Sequence, residues 1–337
     1  MLIPNNPKKP SITTTLLTLA ACLSMGAAQA QTNAPLAWPS KPLRFIVAAP
    51  AGSSLDVVAR SMSEAMRSKM SQPIVVENIA GGSGGIATNA AAKAAPDGHT
   101  FVLSFNGPLA FNQFISKLPY DPAKDLTPVM MTTSQPNILA VNAALPVNST
   151  QELVNYLRKN PAKYNYASVG VGSSSHLAME LFKSQANIFA THIPFNGSPP
   201  AALSVVSGDT QMIFTIPTVI MPQVKAGKMR ALAVSSPKRF SLLPEIPTVR
   251  ESGIQELAQF EALAWNGILV PSATPKELVL RMNAVFDAAL KDEAVRSRLN
   301  AAGLEPVGGS ADSFNAVLVA ETKKWKAIIE RLKITAE

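Results

Sequence analysis

The stretch Tyr164–Lys183, YNYASVGVGSSSHLAMELFK, decides how the rest of the chain is read. Alternation from Tyr164 to Ala167 predicts a short strand. Gly170 and Gly172 among serines predict a loop. Ser173, Ser174 or Ser175 predicts the cap of a helix whose apolar positions Leu177, Leu181 and Phe182 fall at helical spacing. A strand feeding a Gly/Ser loop into a helix N-terminus gathers unpaired backbone N–H groups at one spot. The helix dipole favours an anion there by ~0.3–1 kcal/mol when exposed. Such an element can hold a carboxylate without Arg or Lys. It can equally be a serine-rich turn with a good cap, and this segment alone leaves both readings open.

The same signature recurs along the chain. Leu43–Ala49 reads as a buried strand, and Pro50–Ser54 leads from it into a helix through about Met70. Ser53 and Asp56 form an S-x-x-D capping box there, so the Asp56 carboxylate either caps backbone or meets a ligand. Ile74–Glu77 is a strand, followed by Gly81–Gly85 and an Ala-rich helix over Ile86–Ala95. Thr100–Phe105 is a strand running into Asn106-Gly107-Pro108, preceded by a tight turn in which His99 faces water. Asn187–Ile193 reads as a strand, leading through Phe195-Asn196-Gly197 into a helix that begins at Ser198 and ends at Gly208. Gln211–Ile216 is a strand with Thr215 at its exit, and Met229–Ser235 is another. Thr248 and Glu251 box a short helix that stops at Gly253. Thr274-Pro275-Lys276-Glu277 opens a further helix, and two more, Asp292–Ala302 and about Ala311–Leu332, close the chain.

Strands alternating with helices predict an α/β fold with mostly parallel sheets. Extended segments near 127–141 and 256–270 read as two crossings between lobes. They divide the chain into a discontinuous lobe, 38–133 plus 266–337, and a continuous one, 134–265. Ligands of open α/β sheets sit at the carboxyl ends of the strands. The loops at 50–54 and 104–107 fall there in one lobe, those at 168–175 and 195–197 in the other. The prediction is a cleft lined by backbone donors from both sides, in a protein whose lobes shut on a guest.

Composition narrows the function. The 337 residues are 47% hydrophobic and 15% charged, enough apolar mass for two lobes of ordinary size. Residues 1–30 read as a secretory signal peptide: Lys8 and Lys9, the apolar run Leu16–Ala28, then an Ala28-Gln29-Ala30 cleavage site. Leu19-Ala20-Ala21-Cys22 offers a second reading, a lipoprotein box with Cys22 lipidated; cleavage after Ala30 is preferred because the apolar run continues past Cys22. Cleavage would remove the only cysteine, excluding an internal disulfide or a thiolate metal site. It would also lower the formal charge from +8 to +6, with 28 cations against 22 anions. The cations are scattered and not interleaved with aromatics, which argues against a nucleic-acid partner.

Two glycine-rich patterns overlap at Gly81–Ala87. Gly81 to Gly85 satisfies G-x-S-x-G, which would make Ser83 the nucleophile of a secreted serine hydrolase. Gly82 to Ala87 satisfies G-x-G-x-x-A, but the following strand ends at Asn106 rather than at the acidic residue a dinucleotide site requires. His176 and His192 have no evident acidic partner. Any glycine-rich loop matches both patterns, so neither carries a function.

Longer matches do. Trp38-Pro39-Ser40-Lys41-Pro42, Gly52 with Asp56-Val57-Val58-Ala59-Arg60, Val75-Val76-Glu77-Asn78, Ala94-Ala95-Pro96-Asp97-Gly98 and Leu118-Pro119-Tyr120-Asp121-Pro122 stand in one order. Tyr166-Ala167-Ser168, Ser173 to Ala178, Lys225-Ala226-Gly227-Lys228, Pro247-Thr248-Val249 and Pro306-Val307-Gly308-Gly309 continue it. Over nearly all of residues 38–331 the chain resembles the Bug-type substrate-binding proteins of tripartite tricarboxylate transporters. The resemblance implies a type 2 periplasmic-binding-protein-like fold, a periplasmic location, no catalysis, no cofactor or metal, and a monomer. It implies delivery of a small carboxylate, such as an organic, amino or aromatic acid, to membrane permease subunits; a sensing partner of a signalling protein would look the same. Carried over by position, the ligand contacts would be Pro50, Ser53, Ser54, Asp56, Ser104 and Asn106 in the first lobe. In the second they would be Ser168, Gly172, Ser173, Ser174, His176, Phe195, Asn196 and Thr215. For His176 a bond to the adjoining loop is preferred over contact with the ligand. The chain departs from the family pattern at Ser53, usually glycine, at Ile79-Ala80, often Arg-Pro, and at Asn196, commonly Lys. The last removes a cation near the cleft and weakens the case for a dicarboxylate.

Overall fold

The computed structural model describes residues 1–2 and 38–335, and the compact unit begins at Pro39. The Ala28-Gln29-Ala30 site and Cys22 lie outside the described residues. No helix among the described residues is long and apolar enough to cross a membrane.

Eleven strands are described: β1 (Leu43–Val47), β2 (Ile74–Asn78), β3 (Thr100–Phe105), β4 (Leu126–Pro136), β5 (Ile138–Asn142), β6 (Asn165–Ser168), β7 (Thr191–Pro194), β8 (Met212–Thr215), β9 (Met229–Val234), β10 (Leu263–Pro271) and β11 (Glu305–Pro306). The helices are α1 (Ser54–Met66), α2 (Gly85–Ala92), α3 (Thr150–Lys159), α4 (Ser174–Ala186), α5 (Ser198–Ser207), α6 (Pro217–Lys225), α7 (Lys276–Leu290), α8 (Glu293–Ala301) and α9 (Ala311–Leu332). They form an α/β fold of two lobes, one on a six-stranded sheet in the order β11-β4-β10-β3-β1-β2, the other on a five-stranded sheet in the order β7-β6-β8-β5-β9.

Both sheets are mixed rather than mostly parallel. β1 pairs parallel with β2 and β3, and β6 with β7 and β8. The strands that carry the chain between sheets, β4, β5 and β10, pair antiparallel with their neighbours. A parallel pair needs a crossover helix between its strands, whereas a chain passing straight from one sheet to the other has none to give. The passage is short: β4 leaves the first sheet at Pro136, Asn137 stands alone, and β5 enters the second at Ile138.

Each lobe packs around its own aromatic cluster. In the first, Phe45, Phe101 and Phe286 pack as tilted rings at separations of 4.6 and 5.0 Å. In the second, Phe182, Phe214 and Phe260 lie within 6.1 Å of one another. All six are fully buried, each stabilising its lobe by about 1.5–3 kcal/mol. Trp265 on β10 meets Phe314 of α9 edge-on at 5.8 Å, and that ring lies where a Cβ on Gly267 would stand, 2.1 Å from its nearest atom.

Local chemistry sets the ends of the elements. Ser53, Ser149, Ser173 and Ser310 each cap a helix by accepting the third backbone N–H, and Thr248 with Glu251 completes a reciprocal capping box. Two expectations change. Residues 187–190 are not strand: Asn187 takes a left-handed conformation (φ 49°) as the cap of α4, and the strand starts at Thr191. His99 does not face water; it is buried, and its Nε2 accepts the Ser40 N–H at 3.1 Å.

Candidate ligand site between the lobes

Between the two sheets lies a cavity of about 270 Å³. Its walls are helix N-termini. The first turns of α1 (Ser53, Ser54), α4 (Ser173, Ser174), α5 (Ser198, Pro199) and α6 (Ile216, Thr218) all line it. α1 comes from one lobe and the other three from the second.

The caps fix which donors remain. In α1 the Ser53 hydroxyl takes the Asp56 N–H and the Ser53 carbonyl takes that of Val57. The N–H groups of Ser54 and Leu55 therefore have no helical acceptor. In α4 the Ser173 hydroxyl and carbonyl do the same for His176 and Leu177, leaving Ser174 and Ser175. In α5, Pro199 and Pro200 carry no N–H, so only Ser198 offers one from the first turn. Among the described residues, none of those lining the cavity is charged. The positive ends of four helix dipoles are the electrostatic feature of the walls.

The side next to the crossing strands has the opposite character. Asn106 Nδ2 donates to the Leu263 carbonyl and Asn137 Nδ2 to that of Ala262, both at 3.0 Å. Asn266 Nδ2 donates to Thr133 Oγ1 at 2.8 Å. Three amide N–H groups are thus turned into the protein. Asn137 Oδ1 and Gln135 Oε1, in residues only 1–2% exposed, are buried without a partner. Trp265 and Phe105 complete this side.

Of the contacts carried over from sequence, Pro50, Ser53, Ser54, Asn106, Ser173, Ser174, Asn196 and Thr215 line the cavity. The other six are not among the lining residues. Asp56 is buried behind the first loop, where its Oδ2 accepts the Gly52 N–H (3.0 Å) and its Oδ1 that of Arg60 Nε (2.9 Å). Burial alone would raise its pKa, but the bonds from Arg60, Gly52 and Asn78 outweigh this and hold the carboxyl below the usual range. Ser104 Oγ bonds Thr88 Oγ1 at 2.8 Å inside the first lobe. Ser168 Oγ bonds His192 Nε2 at 2.6 Å, and His176 Nδ1 accepts the Gly172 N–H at 3.2 Å. His176, His192 and Tyr166 form a stack behind the 168–173 loop, with the two imidazoles 4.1 Å apart. Burial depresses both histidines, His176 to about 3, assisted by the charges of His192 and Lys183, and His192 to about 4. They are neutral props of the loop. Phe195 sits one residue before Asn196, its N–H held by the Ser168 carbonyl. Gln135, Asn137, Trp265 and Asn266 were not anticipated, because in the sequence they read as parts of crossing strands.

The lobes touch on both flanks of the cavity. On one, Ser83 Oγ donates to the Val171 carbonyl at 3.0 Å, and Gly172 lies against Asn112. On the other, Thr218 Oγ1 donates to the Ala302 carbonyl at 2.6 Å. The lobes are shut. Ser83 therefore works as a contact between lobes. The three histidines of the sequence bond elsewhere: His99 to Ser40, His176 to Gly172, His192 to Ser168.

A family model described as "Tripartite tricarboxylate transporter family receptor" matches residues 58–334. The chain belongs to this receptor family. Protein BugT of Bordetella pertussis is 31% identical over 316 residues, covering 92% of this chain and 96% of that one. Among solved structures, R. palustris Rpa4515 with adipate superposes at a TM-score of 0.83 with 31% identity, covering 88% of this chain and 99% of that chain. MatC from Rhodopseudomonas palustris with bound malate gives 0.79 and 29%, covering 87% and 100%. The receptor family thus supplies the two-lobe periplasmic-binding-protein architecture seen here, with its cavity between the lobes.

Proposed function

We propose that this receptor captures a small carboxylate between its lobes and hands it to the membrane permease subunits of a tripartite tricarboxylate transporter. One observation carries the reading: an uncharged cavity walled by helix N-termini from both lobes, where peptide N–H groups converge on the space between them. Each charge-assisted N–H···O bond to a desolvated carboxylate contributes roughly 1.5–3 kcal/mol. Donors from both lobes reach one anion only when the lobes are shut, so binding and closure are linked. The lobes would turn about the passages at Asn137 and Ala262, since residues 134–136 and 263–265 pair within the first sheet, so the lobe limits lie a few residues beyond 133 and before 266. The relatives with adipate and malate support the carboxylate class. The protein would act as a monomer without catalysis, exported to the periplasm by cleavage after Ala30.

A thermal-shift screen of mono- and dicarboxylates against the purified protein tests this. A specific ligand at 100 times its dissociation constant adds about 2.7 kcal/mol to stability. A panel of organic, amino and aromatic acids with no member that raises the melting temperature would refute the reading.

A further inference from the structure

Hydrogen-bonding groups are not spread evenly over the cavity wall. Ser54, Ser174 and Ser198 open α1, α4 and α5, and Asn196 and Thr215 stand two residues ahead of α5 and α6. Their polar groups belong to the same helix starts that present free peptide N–H groups. Elsewhere the wall gives a ligand little to bond. Ser173 Oγ donates to the Gly170 carbonyl, Ser175 Oγ to that of Phe214 and Thr218 Oγ1 to that of Ala302. Asn106, Gln135, Asn137 and Asn266 are only 1–2% exposed, so almost none of their surface is within reach. What stays accessible is carbon: Phe105, Val169, Ile216 and Val219 line the cavity and are half-buried. Pro50 of one lobe and Pro199 of the other are exposed lining residues, and proline has no backbone N–H to offer.

Resting on the carboxylate reading above, we propose that the ligand is a monocarboxylate with a hydrocarbon body, an alkanoate or arenecarboxylate that bears no second polar group. Its carboxylate takes the N–H groups at the helix starts. Its carbon lies against Phe105, Val169, Ile216 and Val219, exchanging water for apolar contact. A second carboxylate would leave water for a surface with no donor to receive it and, among the described residues, no cation in the lining. A hydroxyl meets the same wall and loses its water partners in the same way. An ammonium finds no acidic group in the lining, and the nearby carboxylate of Asp56 is committed to Arg60 and Gly52. The chain would thus differ in preference from the relatives whose structures hold adipate and malate.

Matched sets that vary only the far end of the acid test this directly: hexanoate with adipate and 6-hydroxyhexanoate, and 4-methylbenzoate with terephthalate and 4-hydroxybenzoate. Calorimetric titration of the purified protein should find, in at least one set, a monoacid that binds about tenfold or more tightly than both partners. Val219→Thr and Val169→Thr place a hydroxyl where the wall has a methyl, at nearly constant shape. Each should weaken the monoacid and narrow its lead over the hydroxy acid at least threefold. A diacid or hydroxy acid that binds as tightly as its monoacid overturns the inference, as does a lead that both variants leave unmoved. It also falls if neither set binds while a hydroxy, amino or dicarboxylic acid does; each of these results leaves carboxylate capture standing. If no carboxylate of any kind binds, the underlying reading fails with it.

Discussion

Replacing Ser83 by alanine isolates the free energy of closure from the free energy of ligand contact. Ser83 does not line the cavity, and its hydroxyl reaches across to the Val171 carbonyl of the other lobe at 3.0 Å. When the lobes part, that hydroxyl exchanges the carbonyl for water, so the bond favours the shut form alone. A net hydrogen bond of this kind contributes ~0.5–1.5 kcal/mol. Ser83 also stands in the left-handed region (φ 49°, ψ 41°), but strain there is common to both forms and cancels from the balance between them. Ser83→Ala should therefore weaken ligand affinity roughly 2- to 12-fold. Stopped-flow displacement should place the loss in faster dissociation, with the association rate unchanged, and the melting temperature of the unliganded protein should move little. An affinity within error of the parent would refute the assignment of Ser83 as a closure contact. Complete loss of binding would point instead to a direct role at the ligand.

Gly172→Ala should act more severely by the same route: its Cβ would stand 2.1 Å from Asn112 Oδ1 in the facing lobe, at a φ of +73°, and calorimetry should show affinity falling at least tenfold while circular dichroism shows a folded protein. Wild-type affinity in this variant would mean the loop does not hold the lobes together. The neutral stack of His176 and His192 predicts a pH dependence of stability. Their folded pKa values, about 3 and about 4, lie below the unfolded value of about 6.5, so as pH falls through 6.5 the unfolded chain takes up protons that the folded one refuses. Stability should fall by up to about 2 kcal/mol for His176 between pH 7 and pH 5, and by less for His192, whose partial exposure screens the effect, measured by urea unfolding; equal stability at the two pH values would show that the imidazoles are not held neutral. Asp56→Ala should release the Gly52 N–H and the Arg60 side chain together, costing about 1–3 kcal/mol of stability and loosening the 50–54 loop, so ligand affinity should drop without any direct contact being lost. Unchanged melting and affinity would mean the carboxylate does not brace that loop.

What the sequence revealed and what it hid have physical reasons. Helix starts were legible because a cap is local chemistry: Ser53, Ser173 and Thr248 each bond an N–H three residues on. The loops of the site were legible as strand ends. Which side chain of each loop faces the cavity was not, because at a strand end adjacent residues point to opposite faces. Ser174 and Asn196 line the cavity, while Ser168 and Phe195 at the same strand ends do not. Strand direction was hidden too, since β4, β5 and β10 carry no mark of antiparallel pairing. The acceptors Gln135 and Asn137 were missed because a polar residue in an extended run reads equally well as an edge facing solvent. Only the meeting of two sheets buries it.

The absence of charged side chains from the cavity wall, among the described residues, has a consequence for how such receptors can diversify. What grips the anion belongs to the peptide backbone, which every amino acid carries, so almost no point mutation can erase it. The neutral side chains around it are free to vary without upsetting a buried charge pair. A gene duplicate could therefore drift toward a new nutrient while never passing through a form that has lost its hold on acids.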